Sequence, residues 1–317
     1  MKCYFALSDD VSNNDIYYYL FYCTLNSARK NTNLELHCLY DFRQKNCNNI
    51  EDDRIFNLLK KFKVIIHLKT IDFENSLFNI YTDDYLKSIG VTKTSLYSRF
   101  LRFMIADIEK EDEYILYADT DLIFMKDISL ESFNIDKGLP KTVAVCPEFE
   151  NTMTYSNFNA GVMLINTKSY KECKSELINL LQNKQKAKIE CCDQGYLNLI
   201  YENNFTKMNN IWNWKPYWGI NDNAVIVHLH GLKPRIDFSD IECRYIPFVS
   251  ELLYKNKNAK EGWFYYFNLF AQYAELDPKI VLTNLSVTMQ NQNPEKFAKQ
   301  NNIFRKIYRK IKHILGR

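Results

Sequence analysis

Short apolar runs alternate with longer helical patterns over the first 120 residues, and this alternation constrains the fold more than any other feature of the sequence. Strands that alternate with helices in this way favour a mostly parallel sheet that is covered by helices. The predicted strands span residues 3–7, 35–39, 64–68 and 114–118, and the predicted helices span residues 15–27, 51–60 and 94–108. Together these elements predict an α/β fold.

The same alternation continues beyond residue 120 and then stops. Apolar runs at 143–146, 162–165 and 225–229 predict later strands of the same sheet, with helices at 168–184 and 191–201 between them. Strand signals fade near residue 250, and helical patterns follow at 263–273, 278–290 and 303–315. We therefore expect an α/β domain over residues 1–250 and a small helical region over residues 251–317.

The net charge of +3 is too small to indicate a nucleic-acid partner, but its distribution is uneven. Residues 299–317 contain seven Lys and Arg residues and no acidic residue. The predicted helix at 303–315 has apolar residues on one face and basic residues on the other, a pattern that suits an anionic membrane surface. The alternative is a terminal helix that docks on the protein with its basic face in solvent.

Nine cysteines without a C-x-x-C pair predict free thiols rather than a disulfide or metal framework. Cys3, Cys23, Cys38 and Cys146 lie in apolar runs and are expected to be buried in a reducing compartment. No stretch approaches the length of an apolar membrane span, and the first residues read as a strand rather than a signal peptide. These features predict a cytoplasmic protein.

Two acidic residues follow the predicted strand at 114–118. In open α/β sheets ligands bind at the carboxyl ends of strands, where Asp119 and Asp121 lie. Residues two apart in an extended chain point the same way, so these two carboxylates can share a Mg²⁺ or Mn²⁺ ion. Such a pair also recurs by chance. Glu111 and Glu113, at the entrance of the same strand, are better explained as a solvated turn.

Three other segments carry polar groups next to predicted strands or helices. His228, at the end of the run 225–229, could add an imidazole ligand, although a single histidine is more often a core residue. Gly231 would let the backbone approach a ligand, and Lys233 could neutralise a phosphate. Asn159 lies where the chain enters a strand, and Asp193 opens a helix, for which it could serve only as the N-cap.

Taken together, these segments resemble glycosyltransferase family 8, whose members transfer sugars from nucleotide sugars with retention of configuration. Six motifs match in order over residues 3–235, and the resemblance implies a GT-A fold. The matched segments are Phe5-Ala-Leu-Ser-Asp-Asp, Tyr97-Ser-Arg-Phe, Tyr117-Ala-Asp-Thr-Asp, Phe158-Asn-Ala-Gly-Val, Asp193-Gln-Gly and the segment from His228 through Gly231 to Lys233-Pro.

The resemblance also implies roles for the matched residues. It implies Mn²⁺, with Mg²⁺ as the alternative, bound by Asp119, Asp121 and His228. It implies nucleotide contacts from Ala6, Leu7, Ser8, Asp9, Thr120, Gly231 and Lys233. It implies donor-sugar contacts from Arg99, Asn159, Ala160 and Asp193. Asp193 and Gln194 are then the expected catalytic residues, with Gln194 facing the anomeric carbon either as a nucleophile or as a shield of one face.

The resemblance predicts a metal-dependent retaining hexosyltransferase that uses UDP-galactose or UDP-glucose. The expected acceptor is a cell-surface glycan or glycolipid such as lipopolysaccharide core, reached by peripheral contact with the cytoplasmic face of the inner membrane. Two alternatives are a phosphotransferase of the haloacid-dehalogenase type, which also ends a strand in D-x-D, and a non-catalytic sugar-nucleotide or glycan binder. The aromatic residues Trp212, Trp214, Tyr217 and Trp218 are equally well explained as acceptor contacts or as core.

Overall fold

The computed structural model describes residues 1–9, 14–43, 47–88, 91–133, 138–187, 192–236 and 247–292. These residues form two compact units. The first comprises Met1–Trp214 together with Asn223–Val227, and the second comprises Lys215–Asp222 and the described part of His228–Arg317. The boundary expected at residue 250, between the α/β domain and the helical region, stays a prediction.

A seven-stranded sheet forms the centre of the first unit, in the order β3-β2-β1-β4-β7-β6-β8. All neighbouring pairs are parallel except those made by β7, which is antiparallel to both β4 and β6. The mostly parallel sheet predicted from the strand–helix alternation is therefore confirmed. Its strands are β1 (Lys2–Ser8), β2 (Glu35–Asp41), β3 (Ile65–Leu68), β4 (Tyr114–Ala118), β6 (Val143–Pro147), β7 (Phe158–Asn166) and β8 (Thr206–Lys207).

The last predicted strand does not join this sheet. Residues 226–228 form β9 (Ile226–His228), which pairs with β5 (Leu122–Phe124) in a separate two-stranded sheet. The expectation of a further strand in the main sheet at 225–229 is wrong. An apolar run predicts a buried strand but not its partner, because partner choice depends on the path of the intervening chain.

Eight α-helices of the described chain lie in the first unit, and they cover the sheet. Two large apolar clusters, one on each face of the sheet, contain neighbouring β1 residues: Tyr4 belongs to one and Phe5 to the other. Burial on both faces is why these strands read as continuous apolar runs. The helices are α1 (Asp15–Asn31), α2 (Arg54–Lys61), α3 (Glu74–Ile80), α4 (Asp83–Ser88), α5 (Lys93–Phe100), α6 (Ile105–Ile108), α7 (Thr167–Gln182) and α8 (Cys192–Ile200).

The helix predicted over residues 94–108 is interrupted. The chain forms α5, then a 3₁₀ turn over Leu101–Met104, then the single turn α6. The prediction of one continuous helix is wrong in this respect. The 3₁₀ turn is tighter than an α-helix and redirects the side chains that it carries.

Helices dominate the second unit, as expected for the end of the chain. They are α9 (Pro247–Lys255), α10 (Ala259–Tyr273) and α11 (Pro278–Asn291). Asp277 accepts a hydrogen bond from the backbone N–H of Lys279, and Pro278 begins α11, a position where its missing N–H costs nothing. The predicted helix at 303–315 lies outside the described residues. None of the helices in the described part of the chain combines the length and the apolar character needed to cross a bilayer.

Candidate active site

The turn between β4 and β5 carries the two paired acids. Asp119 donates its backbone N–H to the carbonyl of Gly161 on β7 at 2.8 Å. On the other side, the hydroxyl of Thr24 in α1 lies 3.0 Å from the carbonyl oxygen of Thr120 and accepts the N–H of Leu122 at 2.9 Å. Both flanks of the Asp119–Asp121 turn are therefore fixed by neighbouring elements.

His228 lies next to this turn because it is the last residue of β9, and β9 pairs with β5, the strand that follows the turn. The imidazole is buried. Asp119, Asp121 and His228 each offer one ligand atom, and these atoms all lie within 4.8 Å of one another. Two carboxylates and an imidazole form a donor set that suits a divalent cation. The residues predicted as metal ligands are therefore brought together.

Arg102 is a site residue that the sequence reasoning missed. Its guanidinium is buried and donates to the Asp119 carboxylate at 2.9 Å and to the Ala160 carbonyl at 2.9 Å. Its Nε lies 3.0 Å from the Asp193 carboxylate, and its guanidinium packs over the Tyr117 ring at 4.4 Å. One buried cation thus joins the predicted metal-binding acid to the predicted catalytic acid.

The signal for Arg102 was present in the sequence. It interrupts the apolar run from Phe100 to Ile105, and a charged residue in such a run needs a buried partner. The family motif pointed instead to Arg99. That residue is exposed, and its backbone carbonyl accepts a hydrogen bond from Arg102 Nε at 3.3 Å. The assignment of Arg99 to the donor sugar stays a prediction.

Burial and neighbouring arginines act in opposite directions on the Asp193 carboxyl. Burial raises the pKa of the Asp193 carboxyl, whereas Arg102 and then Arg99 act to lower it.

Four amide and carboxylate side chains form a second cluster beside Arg102. Asn159 donates to the Glu148 carboxylate at 2.9 Å, and its own oxygen accepts from Asn213 at 2.8 Å. Gln194 donates to the same Glu148 oxygen at 2.8 Å and accepts from the backbone N–H of Ala160 at 2.9 Å. Two of the residues predicted to hold the donor sugar, Asn159 and Ala160, are therefore linked by hydrogen bonds, directly or through Glu148, to Gln194, which is predicted to face the anomeric carbon.

The predicted nucleotide-binding residues of β1 lie at the carboxyl edge of the sheet. Ser8 is buried, and its hydroxyl lies 2.5 Å from that of Ser98 in α5. Asp9, also buried, accepts the backbone N–H of Arg43 at 3.0 Å. Leu7 is buried and Ala6 half-buried. This edge is the expected position for a ligand of an α/β sheet, and the nucleotide contacts themselves stay a prediction.

The loop after β9 contains the remaining predicted phosphate ligands. Gly231 has a φ of +88°, a left-handed conformation that glycine adopts without strain, which explains why glycine is present here. Lys233 donates to the carbonyl of Leu229 at 2.8 Å. The contacts of both residues with a phosphate stay predictions.

The aromatic residues considered as acceptor contacts are core residues in the structure. All of them are buried, and Trp212 stacks on Phe133 with ring centroids 4.0 Å apart. This arrangement fits the core-packing alternative. The buried free thiols predicted at positions 3, 23, 38 and 146 are also present.

Comparison with known proteins decides the family. The model of glycosyl transferase family 8 matches residues 12–234. The chain belongs to this family. A probable glycosyl transferase Gly from Streptococcus gordonii is 34% identical over 149 residues, which cover 46% of this chain and 21% of that protein. Glycosyltransferase GlyE from Streptococcus pneumoniae is 31% identical over 118 residues, which cover 37% of this chain and 28% of that protein.

The fold is shared with GlyE, whose crystal structure is known. A crystal structure of GlyE superposes with a TM-score of 0.54 at 17% identity, covering 89% of this chain and 63% of that one. The prediction of a GT-A fold for this family 8 member is confirmed. This chain spans only part of the length of these relatives.

Proposed function

We propose that this chain is a retaining hexosyltransferase that moves a sugar from a UDP-sugar to a glycan or glycolipid acceptor with the help of Mn²⁺. Membership of glycosyl transferase family 8 supports the reaction class. The observation that carries the proposal is the convergence of Asp119, Asp121 and His228 within 4.8 Å, from the ends of two separate strands. UDP-galactose and UDP-glucose are the proposed donors.

In the proposed reaction the bond between the anomeric carbon and the phosphate oxygen breaks, and its electron pair leaves with the diphosphate. The acceptor hydroxyl oxygen bonds to the anomeric carbon, and its proton passes to solvent water. A divalent cation bound by Asp119, Asp121 and His228 would act as a Lewis acid toward the diphosphate, so that the leaving group needs no proton. The reaction therefore places negative charge at one end of the site and positive charge at the other.

The chain's own residues supply the remaining electrostatics. The sugar ring gains positive charge as the bond breaks, and the carboxylate of Asp193 is suited to stabilise it. Arg102 holds Asp193 and Asp119 with one guanidinium, so the two carboxylates keep a fixed separation. Charged groups that are fixed before the reaction stabilise a transition state without the cost of reorganisation. We assign Arg102 to this positioning role.

The proposal is tested by the release of UDP. The purified chain is incubated with UDP-galactose, UDP-glucose and UDP-N-acetylglucosamine, with and without Mn²⁺. We expect release from at least one donor only with the metal, and a loss of about 100-fold or more in Asp121→Ala. Glu113→Ala, which removes an exposed carboxylate at the other end of β4, is the matched control and should retain the wild-type rate. Wild-type release by Asp121→Ala, or no release from any donor by the unmodified chain, would refute the proposal.

A further inference from the structure

Glu148 is a carboxylate that neither the sequence motifs nor the proposed reaction uses. It directly follows β6, and one of its oxygens, Oε2, accepts two hydrogen bonds. Gln194 Nε2 donates at 2.8 Å and Asn159 Nδ2 at 2.9 Å. An ionised carboxylate can only accept hydrogen bonds, so it determines which end of each carboxamide faces it.

The other ends of the two carboxamides are fixed as well. The oxygen of Gln194 accepts the backbone N–H of Ala160 at 2.9 Å. The oxygen of Asn159 accepts the N–H of Gly161 at 3.0 Å and the amide of Asn213 at 2.8 Å. Rotating the Gln194 amide by 180° would bring its oxygen against the Glu148 carboxylate and its NH₂ group against the Ala160 N–H. Both contacts would be repulsive, so one orientation is allowed.

We propose that Glu148 is a positioning residue for Gln194, holding the nitrogen of its carboxamide toward Glu148 and leaving the oxygen, which accepts the Ala160 N–H, as its electron-rich end. This inference rests on the proposed function, in which Gln194 lies beside the anomeric carbon. A hydrogen bond from Nε2 to a carboxylate also polarises the amide and increases the negative charge on its oxygen. Such an oxygen suits a centre that becomes positive as the sugar–phosphate bond breaks.

The role of Glu148 as a positioning residue predicts an effect on the rate of bond breaking rather than on donor binding. Glu148→Gln has the same shape but lacks the charge, and we expect kcat for acceptor-free UDP release to fall about tenfold, with KM changed less than about threefold. Glu150→Gln, an exposed carboxylate two residues along, is the matched control and should leave both constants unchanged. Thermal unfolding of both variants checks that the fold is intact.

A second pair of variants tests the link to Gln194 directly. Gln194→Glu alone brings the new carboxylate into contact with the Glu148 carboxylate. When Gln194→Glu is combined with Glu148→Gln, the amide at position 148 can donate to the carboxylate at position 194, so the contact again has one donor and one acceptor. We expect the double variant to release UDP about tenfold faster than Gln194→Glu alone. A double variant no faster than Gln194→Glu would overturn the inference.

Two further results would also overturn it. One is a Glu148→Gln variant with the kinetics of Glu150→Gln, and the other is a change confined to KM. If the unmodified chain releases UDP from none of the three donors, the proposed function fails and this inference fails with it. That outcome is distinguishable because it appears before any variant is compared.

Discussion

At the scale of single residues, the buried guanidinium of Arg102 organises the site. It is 7% exposed and contacts the carboxylates of Asp119 and Asp193. Removing one partner of a buried ion pair is costly because the remaining charge stays buried without compensation. Here the cost extends to two carboxylates, since a single cation serves both.

Replacement of Arg102 should therefore destabilise the fold strongly. We expect Arg102→Leu to lower the free energy of unfolding by about 3–5 kcal/mol, measured by urea denaturation. Arg99→Leu, at an exposed position three residues earlier, is the control and should change it by about 0.5 kcal/mol or less. Equal losses in the two variants would show that the Arg102 ion pairs add little.

The three residues predicted as metal ligands lie together in the structure, whereas Arg102 was not among the predicted site residues. Asp119, Asp121 and His228 each follow or end an apolar strand, so their positions at strand ends could be inferred. Arg99 and Arg102 lie three residues apart near the end of α5, and either could face the site on a regular helix. The 3₁₀ turn that carries Arg102 decides between them, and no local pattern predicts such a turn.

At the scale of elements, two histidines join β2 to β3 at the edge of the sheet. His37 Nδ1 and His67 Nε2 lie 2.9 Å apart, so one ring donates to the other. The rings stack with an interplanar angle of 10°. Burial lowers the pKa of His67, and the adjacent His37 lowers it further. Protonation of both rings would remove the hydrogen bond between the strands.

This pair predicts a dependence of stability on pH. Because the pKa of His67 is lower in the folded chain than the ordinary value of about 6.5, the unfolded chain takes up the proton first as the pH falls. The contribution of His67 to the free energy of unfolding is fully present above about pH 7. It declines as the pH drops through about 6.5 towards the lower pKa of His67 in the folded chain. We expect urea midpoints measured between pH 5 and 8 to fall less steeply at acidic pH in His67→Gln than in the wild type. Parallel curves of urea midpoint against pH in the wild type and in His67→Gln would contradict this prediction.

Element positions were more predictable than element partners. The strand at 114–118 has the predicted bounds, because a fully buried strand is a short apolar run. The antiparallel direction of β7 and the separate pairing of β9 with β5 could not be predicted. Both depend on contacts between segments far apart in the chain.

At the scale of the whole molecule, charge is divided unequally along the chain. Residues 299–317 contribute seven positive charges, which leaves the other 298 residues with a net charge of −4. Each basic residue near an anionic bilayer contributes about 1 kcal/mol to binding. We propose that this segment holds the protein peripherally on an anionic membrane.

Deletion of residues 299–317 tests this proposal. We expect the full chain to sediment with vesicles of phosphatidylglycerol and phosphatidylcholine, and the truncated chain to remain largely in the supernatant. Vesicles of phosphatidylcholine alone are the control and should recover neither form. UDP release should be the same for both forms, because the predicted site lies within residues 6–233. Equal recovery of the two forms with anionic vesicles would contradict the proposal.

We propose that Asp119, Asp121 and His228 bind one divalent cation. Titration of Mn²⁺ into the protein in the presence of UDP, followed by electron paramagnetic resonance of the free ion, measures this binding directly. We predict one bound ion per chain in the wild type and in Glu113→Ala, and weaker binding by about tenfold or more in Asp121→Ala and His228→Ala. Wild-type binding in both of these ligand variants would contradict the claim.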